Sequence, residues 1–274
     1  MTSLNRPNPG ELLDKVRSMR PVIHHITNYV TANDCANVTL AIGAIPIMAD
    51  CELESSSVTR RANALVLNMG TPNEKKIRAM VASGETAGGS GTPVVFDPVG
   101  VGSSPFRMAS VADILGRVKC SVIRCNAMEM FHLLGKNGEE CQIDISGCTE
   151  GLDQIIRAAA RTSKLYDCVV AVTGETDVIS TGDRSVLIRN GHQSLRLVTG
   201  TGCMCDSLIA SFCANGTSAF DAAICGVACM GIAGEIAFDR VGQAGTGSLR
   251  IAIIDAISGM TPDVLMERIK IKEA

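Results

Sequence analysis

The sequence contains no tryptophan, only two tyrosines and six phenylalanines, and aromatic residues make up 3% of its 274 positions. Stacking platforms for unpaired bases are therefore scarce, and a formal net charge of −3 leaves no cationic excess to hold phosphate backbones. Nucleic acid is not an expected partner. No Cys-x-x-Cys pair occurs, and none of the four histidines lies at zinc-finger distance from a close cysteine pair, which argues against a structural zinc site. Long apolar runs are also missing. The longest, Ala222 to Gly234, is closed by Asp221 and Glu235 and falls short of the roughly 30 Å of a bilayer core, so it reads as a buried helix and no membrane is expected. The start, Met1 to Gly10, has polar residues and two prolines where a secretory signal needs an apolar run, so export is not expected. Neither Gly-x-Gly-x-x-Gly nor the Walker pattern appears, which weakens the dinucleotide-fold and P-loop readings.

What is present is apolar: 46% of residues are hydrophobic and 19% charged, enough to bury a large core. Twelve cysteines would suggest a disulfide framework in a short chain, but a chain of this length needs no staples. Most of them sit among Ala, Val and Ile, where a thiol behaves as a small hydrophobe. Free thiols in a reducing cytoplasm are the reading.

Leu12, Leu13, Val16 and Met19 recur with helical period and predict a first helix before Pro21. An extended segment, Pro21 to Asn28, leads to a helix over Thr31–Ile42 ended by Gly43. Short Val/Ile/Leu runs then alternate with helical stretches: 64–68 with 72–83, 93–97 with 107–115, and 122–125 with 127–134. Ala87 to Gly91 reads as a flexible loop. After a strand at 168–173, the segments 177–180 and 185–189 form a hairpin through Thr181-Gly182-Asp183-Arg184. His192 to Val198 reads as extended, a Gly-rich turn opens a helix over 204–214, and two more helices are predicted to close the chain. Buried parallel strands need helices on both faces, so this order predicts one domain, 1–274, with a three-layer αβα fold, a mostly parallel sheet and a small antiparallel addition.

Ligands of open α/β sheets gather at the carboxyl ends of the strands. There the sequence places Asn68-Met69-Gly70-Thr71, Asp97-Pro98-Val99-Gly100-Val101-Gly102, Asn126-Ala127-Met128-Glu129 and Thr173-Gly174-Glu175. Asp97 and Glu129, on neighbouring strand ends, suit a hydrated Mg²⁺ that bridges nucleotide phosphates. For Glu129 the competing reading is a capping box with Asn126. Val198-Thr199-Gly200-Thr201-Gly202-Cys203-Met204-Cys205-Asp206 places two glycines before a helix N-terminus, a site able to take an anion. Cys203, at that helix start, is expected to have a lowered thiol pKa, making it a candidate proton acceptor or nucleophile. His24 and His25 point to opposite faces of an extended segment and do not suit one ion; one is expected in the core and the other near a pocket.

Assembled in this order, these stretches, together with Ile26-Thr27-Asn28-Tyr29-Val30, Gly43 to Met48 and Arg124-Cys125-Asn126, resemble the hydroxyethylthiazole kinase family of the ribokinase-like superfamily over nearly the whole chain. The resemblance implies transfer of the ATP γ-phosphoryl group to the primary alcohol of 4-methyl-5-(2-hydroxyethyl)thiazole, with Mg²⁺, for thiamine salvage. It implies a homotrimer with a thiazole pocket at the subunit interface, lined by Asn28, Val30, Met48, Gly70, Gly200 and Cys203. It also implies ATP contacts from Arg124 and Thr173, acidic residues near metal and phosphates at Asp97 and Glu129, and an anion hole over Gly200, Thr201, Gly202 and Cys203. Related kinases usually carry an aspartate base where Cys203 stands, so the cysteine discriminates within the superfamily.

Overall fold

The computed structural model describes residues 8–135 and 151–274. Cys141 and Cys148, and the first seven residues of the segment read for a signal, lie outside them. In chain order the elements are α1 (Pro9–Met19), β1 (Val22–Ile26), α2 (Ala32–Ile42), β2 (Ile45–Met48), α3 (Ser55–Thr59), β3 (Ala64–Asn68), α4 (Glu74–Ser90), β4 (Val94–Asp97), α5 (Pro105–Arg117), β5 (Val122–Asn126), α6 (Ala127–Gly135), α7 (Gly151–Tyr166), β6 (Val169–Thr173), β7 (Asp177–Ser180) and β8 (Ser185–Ile188). A short 3₁₀ turn (Gln193–Leu197) leads to α8 (Thr201–Cys213), α9 (Ala219–Val241), a second 3₁₀ turn (Gly242–Ala244), α10 (Thr246–Ser258), α11 (Pro262–Arg268) and β9 (Ile271–Glu273).

The nine strands form one sheet in the order β2-β1-β3-β4-β5-β6-β7-β8-β9. The first six are parallel to one another, and β7, β8 and β9 add on antiparallel. Alternate residues of each strand point to opposite faces. Val66, Val95, Val122 and Ala171 pack with α1, α2, α8, α9 and α10 on one side, while Leu65, Leu67, Phe96, Ile123 and Val170 pack with α4 to α7 on the other. Burial on both faces is why the parallel strands read as unbroken apolar runs. The predicted mostly parallel, helix-covered sheet with an antiparallel addition is the one observed.

Several local expectations differ. Ala87 to Gly91 is not a loop: α4 continues to Ser90 and ends where Gly91 turns left-handed at φ +69°. Two glycines cost a helix about 1 kcal/mol each, yet burial of Ala87 and the hydroxyl bonds of Ser90 back to Thr86 and Ala87 hold the last turn. His192 to Val198 is a 3₁₀ turn, nucleated where the His192 ring accepts the Ser194 N–H and stacks on Phe238 at 3.7 Å. Ile45–Met48 is an edge strand, α3 is an additional short helix, and three helices plus β9 close the chain where two helices were predicted. The apolar run at 222–234 lies within α9, whose 23 residues are long and apolar enough to cross a bilayer; fifteen of them are instead buried in the core. Both histidines are core residues. His24 bonds Thr59 Oγ1 and the Ala49 carbonyl, His25 bonds Thr39 Oγ1 on the opposite face, and burial pushes His25 down to about 3, so it is neutral.

Candidate active site

Strands β3 and β4 end level, with Asn68 opposite Asp97, and β5 and β6 end level two residues further on, with Asn126 opposite Thr173. Arg124, two residues before the end of β5, reaches both ways along this rim. Its Nη1 donates to Asp97 Oδ2 at 3.2 Å and its Nη2 to Thr173 Oγ1 at 2.7 Å, while Nε lies 4.0 Å from Asp206 Oδ1. Burial opposes the guanidinium charge, but Asp97 and Asp206 outweigh it and hold the group protonated. Asp97 and Asp206 are almost fully buried. Burial and the neighbouring Asp97 push the Asp206 carboxyl well above the usual range, with Arg124 pulling the other way.

Helix α8 opens beneath this rim. Gly200 is left-handed at φ +87°, and a Cβ there would lie 2.4 Å from Thr31 Cγ2. Gly202 has no such backbone demand, but a Cβ would lie 2.4 Å from Arg124 Nη1, so the bare backbone lets the guanidinium lie against the helix start. Thr201 and Gly202 line a pocket of about 500 Å³ with Arg124, Thr173, Gly174, Asp177, Asn190, His192, Leu195, Val227 and Met230. That volume suits a small-molecule ligand, with both polar and apolar side chains in the lining. Asn190 also ties the pocket wall to the chain's end: its amide donates to the Arg268 carbonyl and accepts the Lys270 N–H.

Cys203 sits one residue further round the helix and belongs to the other side. Its Sγ accepts from Asn28 Nδ2 at 3.4 Å and Asn68 Nδ2 at 3.3 Å. Asn28 Oδ1 in turn accepts the Thr31 N–H and hydroxyl. Gly70 is buried and donates its N–H to Asn68 Oδ1. The structure therefore brings Asn28, Gly70 and Cys203 together, whereas Val30 and Met48 are 55% and 40% exposed near the same end of the sheet, Met48 paired with His25 at the end of β2. The expected lowering of the Cys203 pKa is wrong in sign: burial, then Asp97, push the thiol up, and these outweigh Thr31, Arg124 and Asn28, which pull it down.

Glu129 forms the capping box. Its N–H donates to Asn126 Oδ1, its Oε2 accepts the Asn126 N–H, and its Oε1 accepts the Gly100 N–H at 2.8 Å, which ties the loop after β4 to α6. Burial and Asp97 nevertheless push its carboxyl up. Two further residues were not assigned from the sequence. Asp206 follows Cys203 by three positions on one helix face, and Asp97, Cys203 and Asp206 present donor atoms within 4.8 Å of one another. Asn68 links all three. The i, i+3 spacing of Cys203 and Asp206 was the available signal; their convergence with Asp97 spans over a hundred residues and leaves no local trace.

Asp177, buried in the pocket wall, accepts the Gly174 N–H at 2.9 Å. Burial pushes its carboxyl up to about 7, against the Gly174 N–H and Arg124, which hold it down. The folded chain keeps a proton that the unfolded chain releases near pH 4, so the stability this group contributes is present below about pH 4 and lost as pH rises through about 7. Asp177→Asn retains an acceptor for Gly174 and removes the titration. Its stability relative to the parent is expected to grow between pH 4 and 8 by on the order of a few kcal/mol, read from denaturant midpoints; a difference independent of pH would contradict the raised carboxyl.

An arginine held between carboxylates at the rim of a parallel sheet thus lies beside a glycine-opened helix and a ligand-sized pocket, where open α/β folds bind small molecules. A pyridoxal kinase from Staphylococcus aureus shares the fold, with a TM-score of 0.58 over 78% of this chain and 87% of that one, at 15% identity. Much nearer likenesses narrow the class. Residues 13–263 match the hydroxyethylthiazole kinase family. A hydroxyethylthiazole kinase from Clostridium beijerinckii is 48% identical over 266 residues, 96% of each chain. The solved hydroxyethylthiazole kinase from Pyrococcus horikoshii OT3 superposes with a TM-score of 0.89 at 34% identity, covering 97% of this chain and 98% of that one. The chain belongs to the hydroxyethylthiazole kinase family.

Proposed function

We infer that this chain transfers the γ-phosphoryl group of ATP to the primary alcohol of 4-methyl-5-(2-hydroxyethyl)thiazole, giving the thiazole phosphate used in thiamine salvage, and that residues 1–274 act as one kinase unit. The observation that carries the reading is the division of labour at the start of α8. Thr201 and Gly202 face the pocket that would take ATP, while Cys203, the next residue, faces Asn28 and Asn68. A phosphoryl group passing between the two sides meets the free N–H groups of Gly200 to Cys203, where fixed donors stabilise charge as it develops. Arg124 and Thr173 would orient the phosphates from the strand side. Cys203 would position the alcohol rather than deprotonate it, since its thiol is held protonated and a loose phosphoryl-transfer state needs little activation of the nucleophile.

The residues fit Mg²⁺. Asp97 Oδ1 is buried without a hydrogen-bond partner, a hard oxygen donor of the kind the ion takes, and Asp97 with Glu129 would hold it. When bound, the ion would neutralise charge on the nucleotide phosphates. Tyr29, Val30, Ile47, Met48 and Leu53 are exposed apolar residues, which supports a subunit interface; on the pattern the family resemblance implies, it would close the thiazole pocket in a homotrimer. The ten described cysteines are all free, in keeping with a cytoplasmic location.

Purified protein with ATP and Mg²⁺ is expected to consume ATP with hydroxyethylthiazole but not with hydroxymethylpyrimidine, pyridoxal or no alcohol, with the phosphorylated product identified by mass. The same preparation should scatter light as three chains of 28.7 kDa. Turnover confined to another alcohol would overturn the substrate, and a monomer with full activity would overturn the shared pocket.

A further inference from the structure

The bonds around Cys203 converge on Asn68, the last residue of β3, which is fully buried. Its Oδ1 accepts the Gly70 backbone N–H at 3.0 Å and Asn28 Nδ2 at 2.9 Å. A backbone N–H can only donate, so the amide is fixed with its nitrogen pointing the other way. There Nδ2 faces Asp97 Oδ2 at 2.8 Å, Asp206 Oδ2 at 3.2 Å and Cys203 Sγ at 3.3 Å. These are the same three donor groups that cluster tightly enough to hold a metal ion. The place a cation would take among them is filled by a neutral amide nitrogen with two hydrogens for three acceptors.

We propose that Asn68 is a positioning residue for phosphoryl transfer: its amide fixes the Cys203 sulfur between the alcohol-side Asn28 and the Asp97–Asp206 pair. The inference rests on the kinase reading above. Each half of the amide has its own task. The oxygen ties Asn28 and the Gly70 turn to the strand end, so the groups that would touch the alcohol move together. The nitrogen holds sulfur and carboxylates at one distance from that point, which keeps the thiol from turning toward the nucleotide pocket. Asn68 itself does not line that pocket, so its effect on ATP should be small.

The test is a double-mutant cycle joining Asn68→Ala and Cys203→Ser in a Cys51→Ser background, which removes an exposed thiol. With the parent cysteine in place, Asn68→Ala is expected to lower kcat on the thiazole alcohol at least 30-fold while the KM for ATP stays within about twofold. With Cys203→Ser, the same substitution should cost at least threefold less than in the parent, because the sulfur its nitrogen positions is gone and only the ties of its oxygen to Asn28 and Gly70 remain to be lost. An equal loss in both backgrounds, or a KM for ATP that rises as kcat falls, would show a general structural role and overturn the proposal.

A second arm needs no turnover. Asn68→Asp keeps the acceptor for Gly70 and Asn28 but places a carboxylate where an N–H faced the sulfur, so alkylation of Cys203 by iodoacetamide, mapped by peptide mass, should slow at least tenfold. Alkylation at the parent rate would overturn the contact. If the parent enzyme phosphorylates no alcohol yet alkylation slows as expected, the kinase reading fails and the Asn68–Cys203 geometry stands.

Discussion

Replacing Arg124 with methionine is expected to lower kcat/KM by 10² to 10³ and to destabilise the fold by roughly 3–5 kcal/mol, the cost of leaving a buried ion pair without its partner. Asp97 and Asp206 are 1% and 0% exposed, and Arg124 is the cation beside them. Methionine fills much of the volume but supplies no charge, and it also releases Thr173 Oγ1 from its bond to Nη2. Arg124→Lys keeps the charge as a single ammonium, which cannot face Asp97 and Thr173 at once, so it should recover stability more than activity. Adding Asp206→Asn to Arg124→Met removes one of the stranded carboxylates and should restore part of the lost stability without restoring turnover. Urea midpoints and initial rates on the four proteins check this. Retention of stability in Arg124→Met would show that the carboxylates are not held by this arginine.

Gly202→Ala should cost activity more than stability. The backbone at 202 is ordinary helix, where alanine is favoured over glycine by about 1 kcal/mol. The new methyl would lie 2.4 Å from Arg124 Nη1 and 2.6 Å from Nη2, so the guanidinium has to swing aside from the buried carboxylates it serves. It cannot swing aside and still meet Asp97 and Thr173. The expected result is a melting temperature several degrees below the parent but above that of Arg124→Met, and a kcat about 100-fold lower, because a donor displaced by an ångström no longer matches the charge it stabilises. Gly200→Ala meets both a left-handed backbone and the Thr31 methyl at 2.4 Å, and should lose stability as well. Full activity in Gly202→Ala would mean that the seat of Arg124 on α8 is not needed for transfer.

The comparison of these two glycines also shows what could be read in advance. Gly200 and Gly202 stood out as a turn before a helix, but nothing nearby named Thr31 or Arg124 as the groups packed against them. The parallel core was legible because strands covered on both faces, such as Ala64–Asn68 and Val169–Thr173, are apolar at nearly every position. The Asn126-x-x-Glu129 box was legible because its partners are three residues apart. The turn at Gln193–Leu197 was not, since it is settled by His192 stacking on Phe238, 46 positions away. The sign of the Cys203 shift failed for the same reason: the helix N-terminus is local and visible, while burial and Asp97 arrive from distant parts of the chain.

β9 is a three-residue edge strand whose neighbour in sequence, Lys270, is held through its N–H by Asn190, and Lys270 Nζ also meets Glu235. Asn190 is at the same time part of the pocket wall. Occupancy of the pocket and peeling of the carboxyl-terminal edge are therefore linked equilibria: a ligand that favours the seated Asn190 raises the free energy needed to open β9, and anything that frays β9 loosens the ligand by the same factor. A fusion or truncation at the carboxyl end, remote from the rim in sequence, is expected to act on ligand affinity at this pocket through one amide.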